Sequence, residues 1–333
     1  MADLPALHDP AAVTADWLQR ALGRRVLSFN RTDATSVWGA HVRIVADVDG
    51  EPAPLKLRVK IASATVFRRS EVDYYLCDFV DLPGAPLVRC HHAAADDTHY
   101  HLLLDDLADT HRNQDEFPVT GDYGRGLVES LAKLQAHRWT GNPPDVATIE
   151  AGLAWPLQGL PVMLDAMEES FSAAERARVA DVFDRLPEAL ARRATDPAGF
   201  AWTHGDLNPG NILAPISDTG PVLLIDYQPF GGSPAHDQLA ISDLAHAMVL
   251  WWPEASRREL AAPLVAHWHE QLCSLGVGYA SAERLRDDWR LCVTRTLLTP
   301  ASRCAEPGAV TSHRTLWQMH LRRALAALDD YAC

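Results

Sequence analysis

The sequence predicts an α+β protein in two parts: an antiparallel sheet with a helix over residues 1–105, then a mostly helical part over 106–333. Three observations predict this. Residues 41–48 and 55–62 (LKLRVKIA) alternate apolar and polar side chains on either side of Asp49-Gly50, the pattern of a hairpin. Two more strand-like runs, near 86–93 and 99–105, are separated from that hairpin by a helical period over 66–82. Beyond Asp106, where we place the boundary between the parts, long amphipathic patterns dominate.

Each element follows from its residues. Residues 11–23 (AAVTADWLQRALG) form a short amphipathic helix, with Thr14 as N-cap and Gly23 as the stop. The order strand, strand, helix, strand, strand then closes the first part at Leu102-Leu103-Leu104-Asp105-Asp106-Leu107. Helical periods near 122–139, 156–194, 236–252, 254–275, 281–298 and 311–331 make up the second part. A loop around Asp206 and an apolar strand ending in Asp226 are embedded among them.

The chain has 333 residues, enough for one two-lobed enzyme or two domains, and its 47% apolar and 22% charged residues are those of an ordinary globular protein. No apolar run approaches membrane-spanning length, and the opening MADLPALHDP lacks a basic segment followed by an apolar one. Six cysteines without a C-x-x-C pair read as free thiols of a reducing compartment. A cytoplasmic protein without membrane partners, monomeric or homodimeric, is expected. The net charge of -14 makes a nucleic-acid surface improbable. Residues 1–105 hold 11 Lys and Arg against 14 Asp and Glu, and the remainder holds 19 against 30. That acidic second part is either a solubility surface or a match for a cationic acceptor.

The most specific feature is Trp202-Thr203-His204-Gly205-Asp206-Leu207-Asn208-Pro209-Gly210-Asn211-Ile212-Leu213, followed by Val222-Leu223-Leu224-Ile225-Asp226-Tyr227-Gln228. It supplies an Asp, an Asn five residues later, and a second Asp ending an apolar strand. Phosphoryl transfer from a nucleotide needs this set. One carboxylate orients and deprotonates the attacking hydroxyl, while an amide oxygen and another carboxylate hold Mg²⁺ on the phosphates. Asp206 is the candidate catalytic base, and Asn211 and Asp226 are the candidate Mg²⁺ ligands. His204 reads as a loop brace and Asn208 as a neighbour of the site.

HGDLNPGNIL followed by LLIDYQ resembles the aminoglycoside phosphotransferase and choline kinase-like family, small-molecule relatives of protein kinases. Gly205 stands where protein kinases carry Arg. Ile-Asp-Tyr-Gln and Gly232-Ser233-Pro234-Ala235-His236-Asp237 are most similar to the ecdysteroid-kinase-like branch. The resemblance implies a two-lobed protein-kinase-like fold, ATP with GTP as the alternative nucleotide, Mg²⁺, and a small-molecule alcohol as acceptor. It also implies that Lys60, in Arg58-Val59-Lys60-Ile61, reaches the phosphates and pairs with Glu71 of the next helix, Lys56 being the fallback. Ser36-Val37-Trp38-Gly39-Ala40 would cover the phosphates, with Ser36 and Gly39 nearest, and adenine would lie against Asp106 and Leu107 through backbone groups. Asp237 is favoured over Asp243 as the structural Asp after the Asp226 strand. Gln135 stands where the family usually has His.

The expected activity is phosphorylation of a hydroxyl on an antibiotic or specialised metabolite. Trp251, Trp252, Trp268, Trp289 and Trp317 lie where the acceptor pocket should form. A choline- or sugar-type metabolite kinase is the alternative within the class. Phosphorylation of a protein side chain fits the His-Gly-Asp sequence less well. A nucleotide-binding scaffold without activity is the alternative outside it, and retention of Lys60, Glu71, Asp206, Asn211 and Asp226 argues against that.

Overall fold

The computed structural model describes residues 4–36, 39–217, 220–227, 238–279 and 281–331, without the side chains of residues 35, 36, 66 and 67. Packing divides the chain into two units, residues 1–117 with 210–234, and residues 118–209 with 235–333. The expected division between residues 105 and 106 falls where strand-like patterns give way to helical ones, and the packing units divide the chain elsewhere. An α+β architecture is what the sequence predicts and what the elements show.

In the first unit, helix α1 (Ala15–Leu22) starts at Thr14, whose hydroxyl accepts the Trp17 N–H at 3.2 Å, and stops at Gly23 with φ 64°. Five antiparallel strands follow, β1 (Val26–Ser36), β2 (Gly39–Val48), β3 (Leu55–Ser63), β4 (Cys90–Ala95) and β5 (His99–Asp105), in the order β1-β2-β3-β5-β4. Leu57, Val59 and Ile61 of β3 join Val42, Ile44, Ala46 and Val48 of β2 in a core covered by Trp17, Leu18 and Ala21 of α1. Strand alternation therefore turns Lys56, Arg58 and Lys60 to the opposite face. A smaller sheet joins β6 (His111–Asn113), β8 (Ile212–Pro215) and β9 (Leu223–Leu224).

The expected helix over 66–82 is broken. A short turn α2 (Ala64–Phe67) ends at Arg68, whose φ of 52° no helix can continue, and α3 (Ser70–Asp73) runs on as a π-type turn, Tyr74–Asp78.

The second unit is helical except for β7 (Phe200–Ala201) paired with β10 (Gln238–Leu239). Its helices are α4 (Gly121–His137), α5 (Val146–Ala166), α6 (Ala173–Arg193), α7 (Ser242–Ala245) extended by a π-type turn His246–Trp251, α8 (Glu254–Ser274), α9 (Ala282–Arg295), α10 (Leu298–Ala305), α11 (Ala309–Ser312) and α12 (Arg314–Tyr331). The single pattern expected over 156–194 is two helices. Ser172 ends the continuity with a capping box, its hydroxyl accepting the Glu175 N–H while Glu175 accepts the Ser172 N–H. Among the described residues no helix is long and apolar enough to cross a membrane, and Cys77, Cys90, Cys273, Cys292 and Cys304 are free thiols.

Helices α5 and α10 touch backbone to backbone at Gly159. A Cβ added there would lie 1.9 Å from the Ala301 carbonyl oxygen and 2.7 Å from the Ala305 nitrogen. Neither atom can swing aside as a side chain would. Gly159→Ala should therefore lower stability by about 1–3 kcal/mol, the usual cost of overpacking, seen as a lower urea midpoint. An unchanged midpoint would mean that the two helices are free to part.

Candidate active site

In the first unit, Lys60 sits on the sheet face opposite the α1 core. Its ammonium donates to Glu71 Oε2 at 2.7 Å and to Asp226 Oδ1. The Tyr100 hydroxyl donates to the same Glu71 oxygen at 2.7 Å. Glu71 and Tyr100 are buried. Burial alone would drive the proton off Lys60, but Glu71 and Asp226 reverse that and hold its pKa above the ordinary lysine range. The sequence links Lys60 with Glu71; it gives no sign of Tyr100, which reads as a core strand residue. Lys56 pairs instead with the exposed Asp109.

Asp226 follows β9 with φ 65°, and Arg68 is the other non-glycine residue with positive φ among those described. Asp tolerates that region better than most residues, yet it remains a strained conformation that surrounding contacts must hold. Those contacts are visible. Ile225 N–H donates to Asn211 O at 3.0 Å, Leu224 N–H donates to Pro86 O at 3.3 Å, and the Tyr74 hydroxyl donates to Leu224 O at 3.3 Å. Asn211 is buried just before β8, so one backbone bond ties its segment to that of Asp226.

The remaining nucleotide candidates have local structural explanations. Ser36 ends β1 opposite Gly39, while its side chain and residues Val37 and Trp38 lie outside the described set. Gly39 is packed against β3, where an added Cβ would fall 2.1 Å from Ile61 O. Asp106 is gripped by Arg43, Nε to Oδ2 at 2.7 Å, and accepts the Ala108 N–H at 3.2 Å. Burial pushes its carboxyl up, and Arg43 outweighs that to leave it below the usual range. Asp106 N–H donates to Lys56 O, and Leu107 O accepts from the amides of Thr110 and His111.

In the second unit, Asp206 lies in the loop after β7. Asn208 Nδ2 donates to Asp206 Oδ2 at 3.0 Å, and His246 Nε2 is 3.6 Å from Oδ1. Burial pushes the Asp206 carboxyl up, but His246, Asn208 and His204 outweigh it and hold the pKa at about 2. The loop is fixed from below by Asp243, buried at 1% exposure. Its carboxylate accepts the N–H groups of His204 and Gly205, each at 2.9 Å, and the Gln135 amide at 3.2 Å. Gln135 donates also to Ala240 O and accepts the Trp268 indole N–H at 2.9 Å.

Asp243 thus braces the loop, where the sequence favoured Asp237; the latter lies outside the described residues. The signal was present, since Asp-Leu-Ala is complete only at Asp243. His246 was not foreseen. Of the tryptophans considered for the acceptor, Trp252, Trp268, Trp289 and Trp317 are buried in the core, and Trp251 is half-buried.

A family model described as the phosphotransferase enzyme family matches residues 60–285. Curated protein sequences give no match. Among solved structures, the ethanolamine kinase of Plasmodium vivax is similar with a TM-score of 0.52 at 10% identity, covering 92% of this chain and 82% of that one. A macrolide 2'-phosphotransferase of Brachybacterium faecium is similar with a TM-score of 0.49 at 16% identity, covering 94% and 96%. A choline kinase of Streptococcus pneumoniae is similar with a TM-score of 0.48 at 15% identity, covering 92% and 94%.

Replacing Asp243 by Ala would leave the His204 N–H and one Gln135 hydrogen buried without that acceptor and would free the part-buried Gly205 N–H. The expected loss is on the order of 3 kcal/mol, read from urea unfolding. Wild-type stability in that variant would show that the loop is held by other contacts.

Proposed function

Because the chain belongs to the phosphotransferase enzyme family, we propose that it transfers the γ-phosphoryl group of ATP to a hydroxyl of a small molecule. GTP is the alternative donor, and an antibiotic or specialised metabolite is the acceptor class. The observation that carries the reading is the meeting of Glu71 and Asp226 at the Lys60 ammonium, with Lys60 and Asp226 166 residues apart. A cation so held suits a polyanionic phosphate chain, and a structural ion pair needs only one carboxylate.

In this reading Asp206 accepts a hydrogen bond from the acceptor hydroxyl and then its proton. The phosphate oxygens are met by the Lys60 ammonium, which Glu71 keeps in place. Asn211 and Asp226 offer an amide oxygen and a carboxylate, the hard donors that Mg²⁺ takes, and Lys60 engages Oδ1 of Asp226 while leaving Oδ2. When bound, Mg²⁺ neutralises charge on the phosphates. The residues present therefore fit the ion. The direct test is an ATP-consumption screen across aminoglycosides, macrolides, nucleoside antibiotics, choline analogues and sterol-like alcohols. No consumption above background with any of them would count against the reading.

Asp206→Asn should lower kcat by roughly 10²–10⁴, typical for a positioned base, with nucleotide affinity little changed. Near-normal turnover would remove Asp206 from the mechanism. Asp226→Asn, which keeps a side chain tolerant of positive φ, should weaken nucleotide binding in calorimetry with Mg²⁺ more than without it. Equal affinities would place the ion elsewhere.

The pH dependence has a definite sign. With its carboxyl lowered from 3.8 to about 2, Asp206 is already ionised throughout any neutral assay and is lost as a base only as pH falls toward 2. The kcat/KM profile should show no acid limb from Asp206 above about pH 3. A limb near pH 4–5 whose midpoint moves in Asp206→Glu would contradict this.

A further inference from the structure

Asp206 is met on both carboxylate oxygens by neighbours within its own unit. Asn208 Nδ2 donates to Oδ2, and His246 Nε2 stands 3.6 Å from Oδ1. The same Nε2 accepts the Trp251 indole N–H at 3.3 Å. One ring nitrogen cannot serve both partners at once. An indole N–H only donates and a carboxylate only accepts, so Nε2 meets Trp251 as a lone pair and Asp206 as an N–H. His246 and Trp251 open and close one π-type turn, which brings their side chains together.

The surroundings leave His246 as the group that can carry this change. His320 lies edge-on to Trp251 at 4.5 Å and is buried. Burial, then His246, Arg323 and Arg303, hold the His320 pKa down to about 3, so it stays neutral. Arg323 is spent on Leu250 O at 2.8 Å, and Arg303 faces Glu306 at 3.4 Å. Asp243, the remaining carboxylate influenced by His246, is occupied by the loop amides.

We propose that His246 is a positioning residue for Asp206: with its ring proton on Nε2 it fixes Oδ1 while Asn208 fixes Oδ2, setting the plane of the carboxylate toward the acceptor hydroxyl. Trp251 is the competing partner. It takes Nε2 when the ring proton sits on Nδ1, and the hold on Oδ1 is then released. The proposal rests on Asp206 as the base and assigns the His-Trp pair a part in its alignment.

Two variants test it, assayed with whichever acceptor the ATP-consumption screen identifies. His246→Ala should lower kcat at pH 7 about tenfold, the scale of a misaligned catalytic group, with KM for ATP unchanged. His246→Gln keeps an N–H for Oδ1, so it should restore most of kcat. A carbon-13 NMR titration of the Asp206 carboxyl reads the same contact without turnover. Its midpoint in His246→Ala should rise from about 2 toward 3.8. Unchanged kcat together with an unchanged midpoint would overturn the proposal. Full turnover in Asp206→Asn would overturn instead the reading of Asp206 as base, and the carboxyl midpoint would still report the contact.

Discussion

A carboxylate survives in a protein core only where donors converge on it, and the second unit is arranged around one such group. Asp243 stands at the head of α7 and collects two consecutive loop amides and a side-chain amide. Through Gln135 the same cluster reaches α4 and, by the Trp268 indole, α8. The loop carrying Asp206 is therefore positioned by the helical core beneath it rather than by its own short sequence. A loop held this way can present an exposed reactive group while its backbone remains as fixed as the helices.

The first unit solves a different problem with charge. A lysine on a strand face loses hydration when a helix and a second strand close over it, and that loss must be offset by carboxylates in contact. Glu71 does this from a buried position braced by Tyr100, and Asp226 does it from the end of β9. The two carboxylates differ in surroundings. Glu71 is sealed in the core, while the Asp226 side chain is 35% exposed. Glu71 can only anchor the lysine, whereas Asp226 is accessible to a ligand.

Much of this was legible because the chemistry is local. The β2–β3 hairpin declares itself by alternation around Asp49-Gly50, and the loop residues by their fixed spacing. That Lys60 on a strand pairs with Glu71 of the following helix is what the family resemblance implies. Other features had no sequence period to betray them. β1 is an edge strand whose Val26 and Phe29 are only partly buried against the core and whose later residues are polar, so it shows no clean alternation. The π-type turns after Asp73 and Ala245 dilute the helical repeat and hide which residues share a face. His246, which lies 3.6 Å from Asp206, opens such a turn. The break at Ser172 was announced by Ser-Ala-Ala-Glu, but the apolar pattern continuing on both sides masked it.

Gly205 illustrates how one backbone angle can narrow what evolution may do. It sits at φ 80°, yet nothing lies within 4 Å of the place a Cβ would occupy. What the position demands is handedness, not smallness. Any L-residue pays in backbone strain for a side chain that the surroundings would otherwise accept. A D-alanine introduced by chemical ligation would instead suit the angle and restrict the unfolded chain. The amide that Asp243 holds depends on this one mirror-image turn. Exchange of Gly205 for an L-residue such as arginine would thus carry a backbone cost of about 1–2 kcal/mol even though its Cβ meets no obstacle.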